Sequence, residues 1–95
     1  MNVFETQDKS GRKIHLSKKQ WTHIGIEHPE VKDIEQIKET LIKPIKITCP
    51  LEEKVYYYQY FKHRPDPDKY LLVIVRYLNG TGFVISAYFV NYMQG

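Results

Sequence analysis

Apolar positions crowd into two runs near the C-terminal end, residues 70–78 and 83–90, both rich in β-branched and aromatic side chains. Asn79-Gly80-Thr81-Gly82 between them supplies residues that tolerate positive φ, so the pattern predicts a β-hairpin. Because side chains alternate across a strand, Leu72, Ile74, Arg76 and Leu78 are expected to share a face with Phe83, Ile85, Ala87 and Phe89. The opposite face then carries Leu71, Val73, Val75 and Tyr77 with Val84, Ser86, Tyr88 and Val90. The first set is the more apolar and is expected to receive the helices. The second mixes hydroxyls with small apolar groups, and a site there would use Ser86 and Tyr88.

Upstream, residues 2–7 alternate weakly and 12–16 alternate basic with apolar, with Asp8-Lys-Ser-Gly11 as a turn between them. This predicts a small N-terminal hairpin. Ser17 with Gln20 three residues on forms a capping box, and Leu16 with Trp21 has the spacing of a hydrophobic staple, so a helix is expected from Lys18. Winding 18–28 at about 100° per residue puts Trp21, Ile24 and His28 on one side and His23 with Glu27 on the other. Pro29 suits a first helical position and Glu30 would meet the positive end of a second helix over about 30–42. Val31, Ile34, Ile37, Leu41 and Ile42 form its buried stripe, and Pro44 ends it.

Residues 45–48 read as a short strand and Pro50-Leu-Glu-Glu53 as a turn. Residues 55–61 read as a strand with Tyr56, Tyr58 and Tyr60 on one face and Val55, Tyr57, Gln59 and Phe61 on the other. A polar loop over 63–69 leads into the last hairpin. The sum is α+β: an N-terminal hairpin, two helices, then a curled antiparallel sheet of about four strands with helices packed on one face.

Length and charge narrow the picture. Ninety-five residues make a single domain over 1–95, with one core. Fourteen basic against eleven acidic residues leave a net charge of +3, which permits a polyanionic partner without requiring one. Cys49 has no second cysteine to pair with and reads as a structural thiol, and residues 1–6 lack a basic segment followed by an apolar one. The cytoplasm is the expected compartment. The longest apolar run is too short to span a bilayer, so no membrane partner is expected. No His, Cys and carboxylate spacing suits a metal and no glycine loop suits a nucleotide phosphate, so neither metal nor cofactor is expected.

The series Lys13-Ile-His-Leu-Ser, Trp21-Thr-His-Ile, His28-Pro-Glu-Val, Thr40-Leu-Ile-Lys-Pro44, Tyr56-Tyr-Tyr, Leu72-Val-Ile-Val and Phe83-Val-Ile-Ser-Ala-Tyr88 has a recognisable order. It resembles a family of small prokaryotic proteins classed with the phage-type barnase, EndoU, colicin and RelE-like nuclease fold, and the resemblance runs from about Gly11 to Val90. It implies a toxin-like, metal-independent endoribonuclease whose site lies on the sheet face free of helices, with His23 and His28 as the favoured catalytic residues.

Cutting RNA without metal needs a base for the 2′-hydroxyl proton, donors for the phosphorane charge and an acid for the leaving 5′-oxygen. Histidine suits either proton transfer near neutral pH. On the residues alone, His28 also reads as a core histidine at the helix turn, and His23 as half of an exposed pair with Glu27. His15 and His63 read as solvated. Ser86 and Tyr88 would position phosphate, and Arg76 would either clamp a phosphate or lift its head past the rim. Tyr56 and Tyr58, with Tyr60, would stack bases. The hairpin is expected to place no cation on the Ser86 face, which leaves that role to Lys62, Arg64 or Lys19. The competing expectation is a non-catalytic interaction or RNA-binding protein of the same fold, holding a protein partner or forming a homodimer through its tyrosines or a strand edge.

Overall fold

The final hairpin forms where its sequence pattern places it. In a computed structural model, which describes residues 2–93, Asn79 and Gly80 both have positive φ, 54° and 81°. They make the two-residue loop that right-twisted strands favour. The elements are β1 (Asn2–Gln7), β2 (Lys13–Ser17), α1 (Lys18–Glu27), α2 (Ile34–Ile42), β3 (Lys46–Leu51), β4 (Lys54–Tyr60), β5 (Tyr70–Leu78) and β6 (Thr81–Val90). The class is α+β, but the sheet has six strands rather than about four, in the order β1-β2-β6-β5-β4-β3. Strands β3 to β6 form an antiparallel meander. The N-terminal hairpin joins it through a short parallel contact, Ile14 opposite Gly82 and His15 opposite Phe83, which makes the sheet mixed.

The expected constant parity across the hairpin does not hold. Ser86 stands opposite Ile74 while Val84 stands opposite Val75, so Ile85 is an extra residue in a β-bulge. From Ser86 onward every side chain has changed sides. Ala87 and Phe89 therefore join Val84 opposite Val73, Leu71 and Val75, and this face packs with Ile24, Val31, Ile37 and Leu41. The helices thus take the Leu71, Val73 and Val75 face, not the Leu72 and Ile74 face, because the bulge gathers the best apolar residues of both expected sets under them.

Gly82 lies on this covered face opposite Tyr77. A Cβ at Gly82 would come within 2.8 Å of both the Tyr77 ring and Val75 Cγ1. Gly82→Ala is therefore expected to cost about 1–3 kcal/mol through overpacking, read as a lower urea midpoint. An unchanged midpoint would mean that Tyr77 yields freely.

Helix α1 starts as its capping signal predicts, with Ser17 Oγ accepting from the Gln20 N–H at 3.1 Å. The box is not closed, because Gln20 Nε2 instead donates to the Ile85 carbonyl at 2.6 Å. Pairing of β2 with β6 ends at His15, so α1 takes over the β6 edge where the bulge exposes that carbonyl. Helix α2 begins at Ile34 rather than near Glu30, because Asp33 caps it by accepting from the Glu35 N–H at 2.9 Å. Pro29 and Glu30 instead lie in a turn closed by the Val31 N–H to the His28 carbonyl. Val31, Ile37 and Leu41 are buried as expected, whereas Ile42 is 39% exposed at the helix end. Strand β3 continues through Cys49 and Pro50 to Leu51, and the turn falls on Glu52 and Glu53, with Glu53 at φ 69°. The exposed Cys49 thiol donates to the Lys54 carbonyl at 3.3 Å.

One buried carboxylate ties the N-terminal hairpin to the meander. Asp8 accepts from the Ser10 N–H and hydroxyl at 2.9 and 2.7 Å, and from the Arg12 N–H, Nε and Nη2 at 3.0, 3.0 and 2.8 Å. The fully buried Tyr57 donates its hydroxyl to Asp8 at 3.0 Å and meets the Tyr77 hydroxyl at 2.7 Å. The Arg12 guanidinium lies 4.1 Å over the Tyr77 ring. Burial alone would raise the Asp8 carboxyl, but donors from Ser10, Arg12 and Tyr57 outweigh it and hold the group well below the ordinary carboxylate range. Among the described residues, no helix is long and apolar enough to cross a membrane.

Candidate functional site

Strand pairing sorts the helix-free face of the sheet into rows about 7 Å apart along the strands, and three successive rows carry the candidate residues. The first row is Lys46, Tyr58, Leu72 and Tyr88. Next come Thr48, Tyr56, Ile74 and Ser86. Last are Lys54, Arg76, Phe83 and His15. Tyr58, Leu72 and Ile74 are buried by their own neighbours, chiefly Tyr56, Ile85, Tyr88, Val90 and Met93, and so form a second, smaller apolar cluster. Over the first row lies a pocket of about 360 Å³, lined by Tyr56, Tyr58, Leu72, Tyr88 and Val90 together with Asp68, Asn91 and Tyr92.

His28 reaches this face from the end of α1. Its backbone N–H caps the helix by donating to the Ile24 carbonyl at 2.7 Å, and its φ of −134° takes the chain out of the helix. Freed from the helical spiral, the half-buried ring stacks on Tyr88 with centroids 4.8 Å apart and planes 26° apart. Its Nδ1 lies 3.9 Å from Glu30 Oε2. Burial pushes the Tyr88 phenol up from its ordinary value, and the neighbouring Tyr56 and Tyr58 hydroxyls add to this. Tyr88 therefore stays protonated at neutral pH.

The residues singled out from the sequence divide into two groups. His28, Ser86, Tyr88, Tyr56 and Tyr58 come together on or beside one face. Arg76 joins them, because the bulge moves Ser86 onto its face; the expectation that the hairpin supplies no cation there is thereby corrected. Arg76 is half exposed, with Nη2 3.7 Å from Glu53 Oε2. His23 does not join: it is turned to solvent, with Nε2 3.1 Å from Glu27 Oε1. Lys62 is also apart, lining a different hollow with Gln36, Tyr60, Phe61, His63 and Arg64. Arg64 sits 4.1 Å over the Phe89 ring on the helix-covered side, and Lys19 lies beside Ser17, Lys18 and Thr22.

Sequence reasoning passed over three members of the face. Lys54 shares the parity of Tyr56 and Tyr58 and was visible in that alternation. Lys46 depends on the register of β3 against β4, which no local pattern fixes. His15, expected to be solvated, is only 19% exposed: it stacks on Phe83 at 5.7 Å, and its Nδ1 lies 3.0 Å from Asn2 Nδ2 and 3.3 Å from Glu5 Oε2. Among the described residues, no group of three or more His, Cys, Asp or Glu side chains is gathered so as to hold a metal ion. No protein-family model matches this chain, and neither does any curated protein or solved structure.

Proposed function

We propose that this chain is a metal-independent, toxin-like endoribonuclease of the barnase, EndoU, colicin and RelE-like type, acting on single-stranded RNA. The observation that carries the reading is the His28–Tyr88 stack beside Ser86, at the edge of a tyrosine-lined pocket on the helix-free face. The pocket takes an unpaired base, whose π-face the tyrosines accept whatever its identity. His28 removes the 2′-hydroxyl proton, the 2′-oxygen bonds to phosphorus and the P–O5′ bond breaks. The products are a 2′,3′-cyclic phosphate and a 5′-hydroxyl. Tyr88, held neutral, donates the proton that the departing 5′-oxygen needs; solvent then returns a proton to Tyr88 and takes one from His28, which restores both. Ser86 supplies a hydrogen bond to the phosphorane oxygens, and the positive charge of Arg76 in the next row stabilises them from a distance.

The test is cleavage of end-labelled single-stranded RNA in EDTA, with the ends of the products identified. Cyclic phosphate ends from the wild type support the reading, and no cleavage by folded protein overturns it.

A second reading has its own observation. Edge strand β3 and its approach expose Ile45, Ile47 and Leu51, which suits a non-catalytic protein that pairs with a partner or with its own copy. Salt separates the two readings, because phosphate contacts release counterions and weaken steeply with salt while an apolar interface does not.

A further inference from the structure

We propose that the row Lys54, Arg76, Phe83 and His15 is a second nucleotide subsite, which binds a base and phosphate of the same RNA strand whose neighbouring part is seated at Tyr88. The inference rests on the reading of the face as an RNA site and adds to it the path of the substrate. Along β5, Leu72 marks the first row and Arg76 the third, four residues and about 14 Å apart. That is further than one base reaches and within the span of a short extended oligonucleotide. Ser86 lies in the row between.

The chemistry of this row is that of a single-strand platform. Phe83 sits in the middle of a paired sheet, yet the residue is 43% exposed. Were the Arg76 stem merely a cover for its cross-strand neighbour, Phe83 would be buried. His15 and Phe83 present two near-parallel rings, with planes 26° apart, and His15 is held in place by Asn2 and Glu5. Lys54 and Arg76 stand opposite each other next to the rings. The carboxylate paired with Arg76, that of Glu53, is 3.7 Å away across a half-exposed pair, too loose to compete with a phosphate that binds the guanidinium through two hydrogen bonds. Exposed aromatic surface flanked by cations is the combination with which proteins hold unpaired bases and their backbone.

The test uses fluorescent 2′-O-methyl oligonucleotides, which cannot be cleaved because the attacking hydroxyl is blocked. The wild type is expected to bind a hexanucleotide more tightly than a dinucleotide. Phe83→Ala should weaken the hexanucleotide by about tenfold, the value of one lost base stack, and leave the dinucleotide unchanged. Phe83→Leu keeps an apolar cover over the strand but offers no ring, and it should behave like Phe83→Ala. Phe83→Trp should restore binding, which a purely structural role would not do. Arg76→Gln should flatten the salt dependence of hexanucleotide binding by about one phosphate contact. Loss of hexanucleotide binding in Tyr88→Ala with none in Phe83→Ala would overturn the second subsite and spare the RNA reading. Wild type that binds neither probe would overturn both.

Discussion

Asp8→Ala is expected to lower the stability of this domain by about 3 kcal/mol. The reason is accounting for donors rather than loss of charge alone. The carboxylate satisfies two main-chain N–H groups, the Ser10 hydroxyl, the Arg12 guanidinium and the hydroxyl of a fully buried tyrosine. Alanine leaves Arg12 to water, since its side chain is 41% exposed, and leaves Tyr57 its bond to Tyr77. The Ser10 and Arg12 main-chain N–H groups lose the acceptor that closes the turn, and the loss is a large part of the roughly 5–15 kcal/mol that holds a domain of this kind.

The effect depends on pH with a definite sign. The folded carboxyl lies below its unfolded value, so its contribution is fully present above the ordinary carboxylate range, near pH 4. It is lost progressively as pH falls further, because the unfolded chain takes up the proton first. Urea titrations of wild type and Asp8→Asn at a series of pH values check this. The gap between them should hold steady down to about pH 4 and narrow below it, and a gap independent of pH would show that the fold does not lower the Asp8 carboxyl.

His28→Ala is expected to reduce RNA cleavage by about 10²–10⁴-fold, while His23→Ala leaves the rate unchanged. The two histidines lie five positions apart on one stretch of chain, and their placements differ completely. His23 spends its imidazole on an exposed pair with Glu27, which is worth a few tenths of a kcal/mol. His28 stacks on Tyr88 at the edge of the tyrosine pocket. Loss of the stack should cost no more than about 1 kcal/mol, so the variant stays folded, which a thermal melt verifies. Single-turnover rates with saturating RNA separate chemistry from binding. Full activity in folded His28→Ala would move the proton transfer to another residue, with His15 the other histidine on that face.

Much of this arrangement was legible because it is local. Asn79-Gly80, the Ser17 cap and the alternation of Tyr56 with Tyr58 each depend on residues within a few positions. The bulge at Ile85 carries no glycine or proline to announce it; it follows from packing Val84, Ala87 and Phe89 together under the helices. Two expectations therefore failed in compensating ways. The helices took the opposite face of β5, and the bulge carried Ser86 and Tyr88 across, so both still lie on the helix-free face. What changed is their company, which is now Leu72, Ile74 and Arg76. The second helix starts later than Pro29 and Glu30 suggest, because the Asp33 side chain caps it directly. The place of His15 rests on pairing with a strand near the other end of the chain, which no local pattern encodes.

That distant pairing sets an order of assembly. The meander joins strands that follow one another in sequence, so its loops close early and at small entropic cost. The N-terminal hairpin has no docking surface until β5 and β6 exist, since Asp8 must find Tyr77, 69 positions away, and Ile14 must find Gly82. The N-terminal hairpin is thus the last part of the fold to find its place. The row that carries His15 beside Phe83 is completed only at that step, and any activity that needs the row appears only then.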